Sequence, residues 1–161
     1  MLTQQQLKKL LHYDPTTGVF TWRVAKGRAI KIGQTAGSIN SRNYIQIMIS
    51  GERYVAHRLA WFYVFGTWPS AHIDHINTTR SDNRIENLRE ATHVENAQNA
   101  RKQQGARCRL KGVYVDNSKF RARIRVGARQ IHLGMYDTEE DAHAAYMRAA
   151  EKEFGAFARA K

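Results

Sequence analysis

The chain has 161 residues, with 26 Lys and Arg against 14 Asp and Glu, a formal net charge of +12. That length admits one ordinary domain or two small ones and excludes a large α/β barrel or a long repeat array. No run approaches the roughly 20 apolar residues of a membrane span, and a single cysteine, Cys108, excludes an internal disulfide framework and a cysteine-built zinc site. The start of the chain carries no apolar stretch with a small-residue cleavage site, and a reducing, cytoplasmic setting is the expectation. The positive field favours a polyanionic partner, nucleic acid first; no basic amphipathic helix points to a membrane surface.

In chain order, Thr3 and Gln6 form a capping box for a helix over 3–11 with Leu7, Leu10 and Leu11 on one face. Asp14-Pro15-Thr16-Thr17-Gly18 is a turn, followed by a short strand over 19–23. Residues 26–42 are weakly patterned. Residues 44–49 and 53–55 read as a hairpin across Ser50-Gly51, and 57–65 as a buried helix ended by Gly66 and Pro69. Trp22, Trp61 and Trp68 are expected in the core. His57 and Arg58 are expected to be structural or to bind nucleic-acid backbone rather than to react.

The segment over 71–99, AHIDHINTTRSDNRIENLREATHVENAQN, is crowded with His, Asp and Asn. It reads as a strand over 71–75, a loop over 77–87 and a returning strand over 88–91. Thr92 and Glu95 then form a capping box for a helix reaching about residue 102. Asp74 and His75 stand together at a strand end and Asn96 in the first turn of the helix. Carboxylate and amide oxygens are hard ligands suited to Mg²⁺, which keeps several waters and needs few protein ligands when a phosphate supplies the rest. A neutral histidine beside such an ion can take a proton from water. Taken singly, Asp74, Asn87 and Asn96 are ordinary cap and turn residues; together they suggest a hydrolytic site. His72 shares a strand face with Asp74 and is either a ligand, a phosphate contact or a surface histidine. His93 and Asn99, three residues either side of Asn96, are further candidates for phosphate or metal contact.

This segment resembles the HNH nuclease motif, the ββα-metal finger, in the form found in phage and intron-associated homing endonucleases. The resemblance rests on Ile73-Asp74-His75, Asp82-Asn83, Asn87-Leu88 and Glu95-Asn96, and extends more loosely upstream through His57-Arg58 and the aromatic helix. It implies His75 as general base, Asp74 and Asn96 as ligands of a divalent metal, Mg²⁺ or Mn²⁺, and Asn87 as the residue that bonds across the loop and orients His75. It also implies 3′-hydroxyl and 5′-phosphate products. Asn96 stands where the motif's name has a third histidine. A monomer with one such site would nick double-stranded DNA; a homodimer could cut both strands.

Residues 101–125 hold nine Lys and Arg against Asp116 alone. Residues 97–111 read as a helix end running into a basic linker with Arg101 and Lys102, so the expected domains are 1–104, with the finger over about 54–102, and 105–161. From 112 to 136 the pattern alternates. Phe120, Ala122, Ile124 and Val126 face one way and Arg121, Arg123 and Arg125 the other; Ile131 and Leu133 alternate with Gln130 and His132. This predicts a three-stranded antiparallel sheet with an apolar and a basic face, the basic face free of acidic partners. A helix after Asp137 with Thr138 as cap offers Ala142, Ala144, Ala145, Tyr146, Ala149 and Ala150 to the apolar face. The overall class is α+β. Arg121, Arg123, Arg125, Arg129 and His132 are the candidate DNA contacts, against the plain alternative of a solvated strand face.

The module is similar to the plant ethylene-response-factor, or APETALA-type, DNA-binding domain over about 109–158. Lys111-Gly112-Val113, Phe120-Arg121-Ala122-Arg123-Ile124, His132-Leu133-Gly134 and Tyr136-Asp137-Thr138-Glu139-Glu140-Asp141-Ala142 carry the likeness. Phe120 and His132 stand near places where the plant proteins have tryptophan, so no base preference carries over. The resemblances together imply a metal-dependent endonuclease with a tethered DNA reader. The rival is a sequence-specific regulator on an inactive nuclease scaffold.

Overall fold

A computed structural model of the chain describes all residues except 26, 93–94, 97–107 and 159–161, and only the backbone of Ala156. The described residues form a mixed α/β structure of three helices and several antiparallel sheets. Contacts divide the chain into Met1–Ala91 and Thr92–Lys161. The expected boundary at 104/105 falls in a stretch outside the described residues.

The first unit opens with α1 (Gln4–Leu10), whose Thr3–Gln6 capping box is formed in both directions. The helix ends one residue earlier than the leucine pattern suggests, because Leu11 begins β1 (Leu11–Asp14), which pairs with β2 (Val19–Trp22). Leu11 and Tyr13 are both buried, so one apolar set serves a helical period before Leu11 and a strand period after it. The turn between these strands needs a glycine. Gly18 has φ +73°, and a Cβ there would stand 2.4 Å from the Arg84 nitrogen and 2.5 Å from the Asn83 carbonyl carbon. The hairpin thus lies directly on the loop that carries Asn83.

A second sheet orders β3 (Ser38–Ile39), β4 (Ile45–Ile49) and β5 (Glu52–Val55), with the hairpin turn at Ser50-Gly51 as the sequence predicts. Then α2 (Ala56–Phe65) buries Leu59, Ala60 and Phe62 and closes on Gly66, whose N–H reaches the Phe62 carbonyl. Trp22 is buried, and Trp61 and Trp68 pack on the same core; the Trp68 ring stacks on Phe62 with centroids 4.3 Å apart. The unit ends with the hairpin β6 (His72–His75) and β7 (Leu88–Ala91), joined by a loop that closes in a 3-10 turn over Ile85–Asn87.

In the second unit, Thr92 and Glu95 cap each other as expected: the Thr92 N–H donates to Glu95 Oε2 at 2.7 Å and the Glu95 N–H to Thr92 Oγ1 at 3.3 Å. Glu95 and Asn96 are helical; the expected continuation to residue 102 lies outside the described residues. The predicted three-stranded sheet is present, ordered β10 (Arg129–Tyr136), β9 (Lys119–Val126), β8 (Val113–Asp116). Its apolar face packs on α3 (Glu139–Phe154), capped by Thr138. Val113, Ala122, Ile124, Ala142, Ala145, Tyr146 and Ala150 are buried there, while Ala144, expected to face the sheet, lies on the exposed side of α3, and Val115 is 41% exposed. Gly112, at φ +78°, lets Tyr146 lie against the backbone, since a Cβ would fall 2.0 Å from the ring.

Candidate functional site

The β6–β7 hairpin has one exposed and three buried residues on its first strand: His72 faces solvent, and Ile73, Asp74 and His75 are buried. His72 therefore does not share the burial of Asp74, although strand alternation predicts a common face. Antiparallel register sets Arg89 opposite Asp74, and the guanidinium donates from Nε and Nη2 to Asp74 Oδ2 at 2.9 and 2.8 Å. Asp74 is 5% exposed, so this pairing balances a charge that burial would otherwise penalise. The sequence reading names Asp74 but misses Arg89, because only strand register brings the two together.

At the His75 ring, Nε2 lies 3.2 Å from Asn83 Oδ1. The Asn83 amide nitrogen donates to the Ser81 carbonyl, which turns the oxygen toward the imidazole. An amide oxygen only accepts, so Nε2 carries the proton and Nδ1 is the basic nitrogen of the neutral ring. Burial pushes the His75 pKa below its ordinary value, against the opposing pull of Asn83, Asp74 and Asp82. Burial thus favours the neutral ring.

The hydrogen bonds of Asn87 among the described residues run to the loop and not to the His75 ring. Its side chain does bond across the loop, accepting from the Asn77 N–H at 2.9 Å and donating to Asn77 Oδ1 and the Asp82 carbonyl. The amide at the His75 ring is that of Asn83 instead. Asn87 closes the 3-10 turn beneath the loop, so its amide ties the loop together, whereas Asn83 sits where the loop passes the ring. Asn83 is 1% exposed, and its carbonyl accepts from the Tyr13 hydroxyl at 2.7 Å, which anchors it to the N-terminal hairpin. The run Asp82-Asn83 is visible in the sequence, but nothing local distinguishes Asn83 from Asn87.

Arg84 bonds Asp82 through Nε at 2.9 Å and Nη2 at 2.8 Å, and holds that carboxyl down at a pKa of about 2. On the other side of His75 stands His57, with ring centroids 5.1 Å apart and edge to face. Its Nδ1 is buried and has no hydrogen-bond partner among the described residues, and burial lowers its pKa to about 3. Arg58 donates to the carbonyls of Pro69 and Ala71, a structural strap in keeping with one of its two expected roles. Tyr44 neighbours both histidines, its centroid 5.2 Å from His57 and 6.0 Å from His75, and the Arg80 guanidinium lies over the same ring at 5.1 Å.

Of the remaining candidates, Asn96 is helical beside Glu95, while His93, Asn99, Arg101 and Lys102 fall outside the described residues. The chemistry of Asp74 and Asn96, one anionic and one neutral hard oxygen, fits an ion that keeps several waters.

The outer face of the C-terminal sheet carries the expected arginines, and their settings differ. Arg121 pairs with Asp116, which corrects the expectation of a face without acidic partners: Arg121 stands opposite Tyr114, so Asp116, two residues on, is its diagonal neighbour on the same face. Arg123 stacks over Tyr114, 3.6 Å from the ring centroid, and with its oxygen turned inward Gln130 accepts from Nε and Nη1 at 2.8 Å each. Arg125 is exposed and donates to the Gly127 carbonyl at 3.3 Å. Arg129 and His132 are exposed, and His132 pairs in register with Arg123. A bulge between His132 and Gly134 interrupts the alternation and turns Met135 to the outer face beside Arg121.

Two comparisons bear on these units. A stretch of 43 residues, 27% of this chain, is 46% identical to an ethylene-responsive transcription factor-like protein of Arabidopsis thaliana, and it spans 19% of that protein. That likeness fits the C-terminal part. The family model for HNH endonucleases matches residues 54–98, the stretch that holds His57, Asp74, His75, Arg80, Asn83, Asn87, Arg89 and Asn96. The chain therefore carries an HNH endonuclease domain at residues 54–98.

Proposed function

We propose that this protein is a metal-dependent endonuclease of the HNH homing type that hydrolyses phosphodiester bonds in double-stranded DNA at sites chosen with its C-terminal sheet. The observation that carries the reading is the buried, neutral His75 whose tautomer Asn83 fixes, next to the buried carboxylate of Asp74, inside the HNH match. In this reading β6, β7 and the helix at Thr92 are the ββα-metal finger.

His75 Nδ1 takes a proton from water, and the water oxygen attacks phosphorus in line with the departing 3′-oxygen. The bond to the 3′-oxygen breaks, leaving a 5′-phosphate and a 3′-hydroxyl. Asp74 and Asn96 would hold Mg²⁺ or Mn²⁺, which when bound supplies positive charge to the phosphate and the leaving oxygen. Asn83 keeps the imidazole in the tautomer that can accept the proton. Arg121, Arg123, Arg125, Arg129 and His132 bind the duplex, with Arg101 and Lys102 along its backbone. One site nicks, as a monomer; a homodimer cuts both strands. The setting is the cytoplasm of a bacterial host, for a phage-encoded chain.

The second reading, a DNA-binding regulator on an inactive nuclease scaffold, draws support from the Arg89–Asp74 ion pair, which already occupies the carboxylate meant for the metal. Supercoiled plasmid with Mg²⁺ separates the two. The nuclease reading expects nicked or linear product that disappears with EDTA. His75→Ala should lower the rate by about 100- to 10,000-fold and leave duplex affinity unchanged. Tight binding without any cleavage, in Mg²⁺ and in Mn²⁺, favours the regulator or a nuclease whose specific site is absent from that plasmid.

A further inference from the structure

The loop between β6 and β7, together with β7, holds three arginines, and their partners differ. Arg84 is paired with Asp82 and Glu86, and Arg89 with Asp74. Arg80 has no carboxylate partner among the described residues and is exposed. Exposed arginines ordinarily wander, but Arg80 is held on two sides. Its Nη1 donates to the Arg42 carbonyl at 3.1 Å, and its guanidinium lies over the Tyr44 ring. Its backbone is fixed as well: the Thr78 N–H bonds the His75 carbonyl at 2.7 Å, the Asp82 N–H bonds the Thr79 carbonyl at 3.0 Å, and Asn77 ties Asp82 and Asn87 to the loop base. Among the described residues only the Arg42 carbonyl accepts from this guanidinium, a planar fork that matches a phosphate.

The position of that fork matters. Tyr44 is the common neighbour of Arg80 and His75. A water that hydrogen-bonds a base and lies at attack distance from phosphorus puts the phosphorus about 6 Å beyond the base nitrogen. Arg80 and His75 share the Tyr44 ring as neighbour, and the Arg80 charge is close enough to act on the imidazole itself. The two carboxylates nearest the imidazole, Asp74 and Asp82, are already matched by Arg89 and Arg84, so the unmatched charge of this loop is positive and faces solvent.

We infer that Arg80, steered by Tyr44 and the Arg42 carbonyl, is a catalytic residue that grips the non-bridging oxygens of the DNA phosphate presented to His75. The inference rests on the nuclease reading above. In it, Arg80 does the work of a fixed cation at a phosphate whose negative charge grows as water attacks.

The test uses the full-length chain, supercoiled plasmid and Mg²⁺ under single-turnover conditions, with duplex affinity measured separately. Arg80→Ala should slow cleavage by about 100-fold, with affinity changed by less than about threefold and the thermal midpoint unchanged. Arg80→Lys should recover part of the rate, and methylguanidinium added to Arg80→Ala should recover more, which a bracing role for the side chain would not produce. A rate within threefold of wild type for Arg80→Ala, while His75→Ala is inactive, overturns the assignment of Arg80 and leaves the nuclease reading intact. A loss confined to affinity, or one that methylguanidinium leaves untouched, overturns it equally. Absence of cleavage by the wild-type chain defeats the nuclease reading and this inference with it.

Discussion

The His75 site and the arginine face of the C-terminal sheet treat charge in opposite ways. Around His75, burial is used to control protonation: the imidazole is neutral, its tautomer is set by Asn83, and each nearby carboxylate has its own arginine. On the sheet, charge is left in water, where it can attract a polyanion from a distance. Even there the three arginines are not equivalent, since Arg121 is offset by Asp116, Arg123 is stacked and hydrogen-bonded, and Arg125 is loosely held. Chemistry at one atom needs desolvation and fixed hydrogen bonds, whereas recognition of a long charged surface needs exposed groups at regular spacing.

The sharpest way to break that comparison is to strip the sheet. Replacing Arg121, Arg123 and Arg125 with Ala together should weaken duplex binding by about 100- to 1,000-fold and reduce the slope of log affinity against log salt by about 2 to 3, read by fluorescence anisotropy across a salt series. Unchanged affinity and slope would remove the sheet from the interface. If the comparison holds, the slope barely moves when His75 is changed instead.

A smaller effect tests the buried side. His57 has a folded-state pKa of about 3, well under its ordinary 6.5, so between these values the unfolded chain binds a proton that the folded unit refuses. Its contribution to stability is complete above about pH 6.5 and is lost progressively as pH falls toward 3. Going from pH 6.5 to 5 should cost up to about 2 kcal/mol from this group, with His75 adding in the same direction. Asp82, depressed to about 2, acts only below that range. Urea unfolding at the two pH values, repeated for His57→Phe, reads the difference. The variant should show a shallower pH dependence, and an identical one would place the acid sensitivity elsewhere.

The smallest expected effect separates Asn83 from Asn87 in orienting the base. Asn83→Ala should lower the cleavage rate by about tenfold through loss of the fixed tautomer, with duplex affinity and salt slope untouched. Asn87→Ala should act mainly on the stability of the first unit, lowering its thermal midpoint, because its amide serves the loop. A larger specific loss of rate for Asn87→Ala at equal stability would return the orienting role to Asn87.

Much of the architecture could be read locally. The capping boxes at Thr3 and Thr92, the Ser50-Gly51 turn and the alternation along β9 each lie within a few residues, and each element formed where its own chemistry directs. The strand at Leu11–Asp14 was hidden because Leu11 fits the end of a helical face as well as the start of a strand. The bulge at His132/Gly134 was hidden because alternation carries no mark of one extra residue.

The site divides along the same line. Sequence by itself determined which residue types were available: an adjacent Asp-His pair, an Asn-rich loop, a capped helix start and a basic face opposite an apolar one. Tertiary structure alone decided the pairings, Arg89 with Asp74, Asn83 with His75, Tyr13 with the Asn83 carbonyl, Arg80 with Tyr44. These partners stand 8 to 70 residues apart in the chain, and a hydrogen bond or ring contact over a few ångströms leaves no periodic trace that a reader of the sequence could follow. They meet because β6 and β7 align in one register and because Gly18 lets the N-terminal hairpin press on the loop between them.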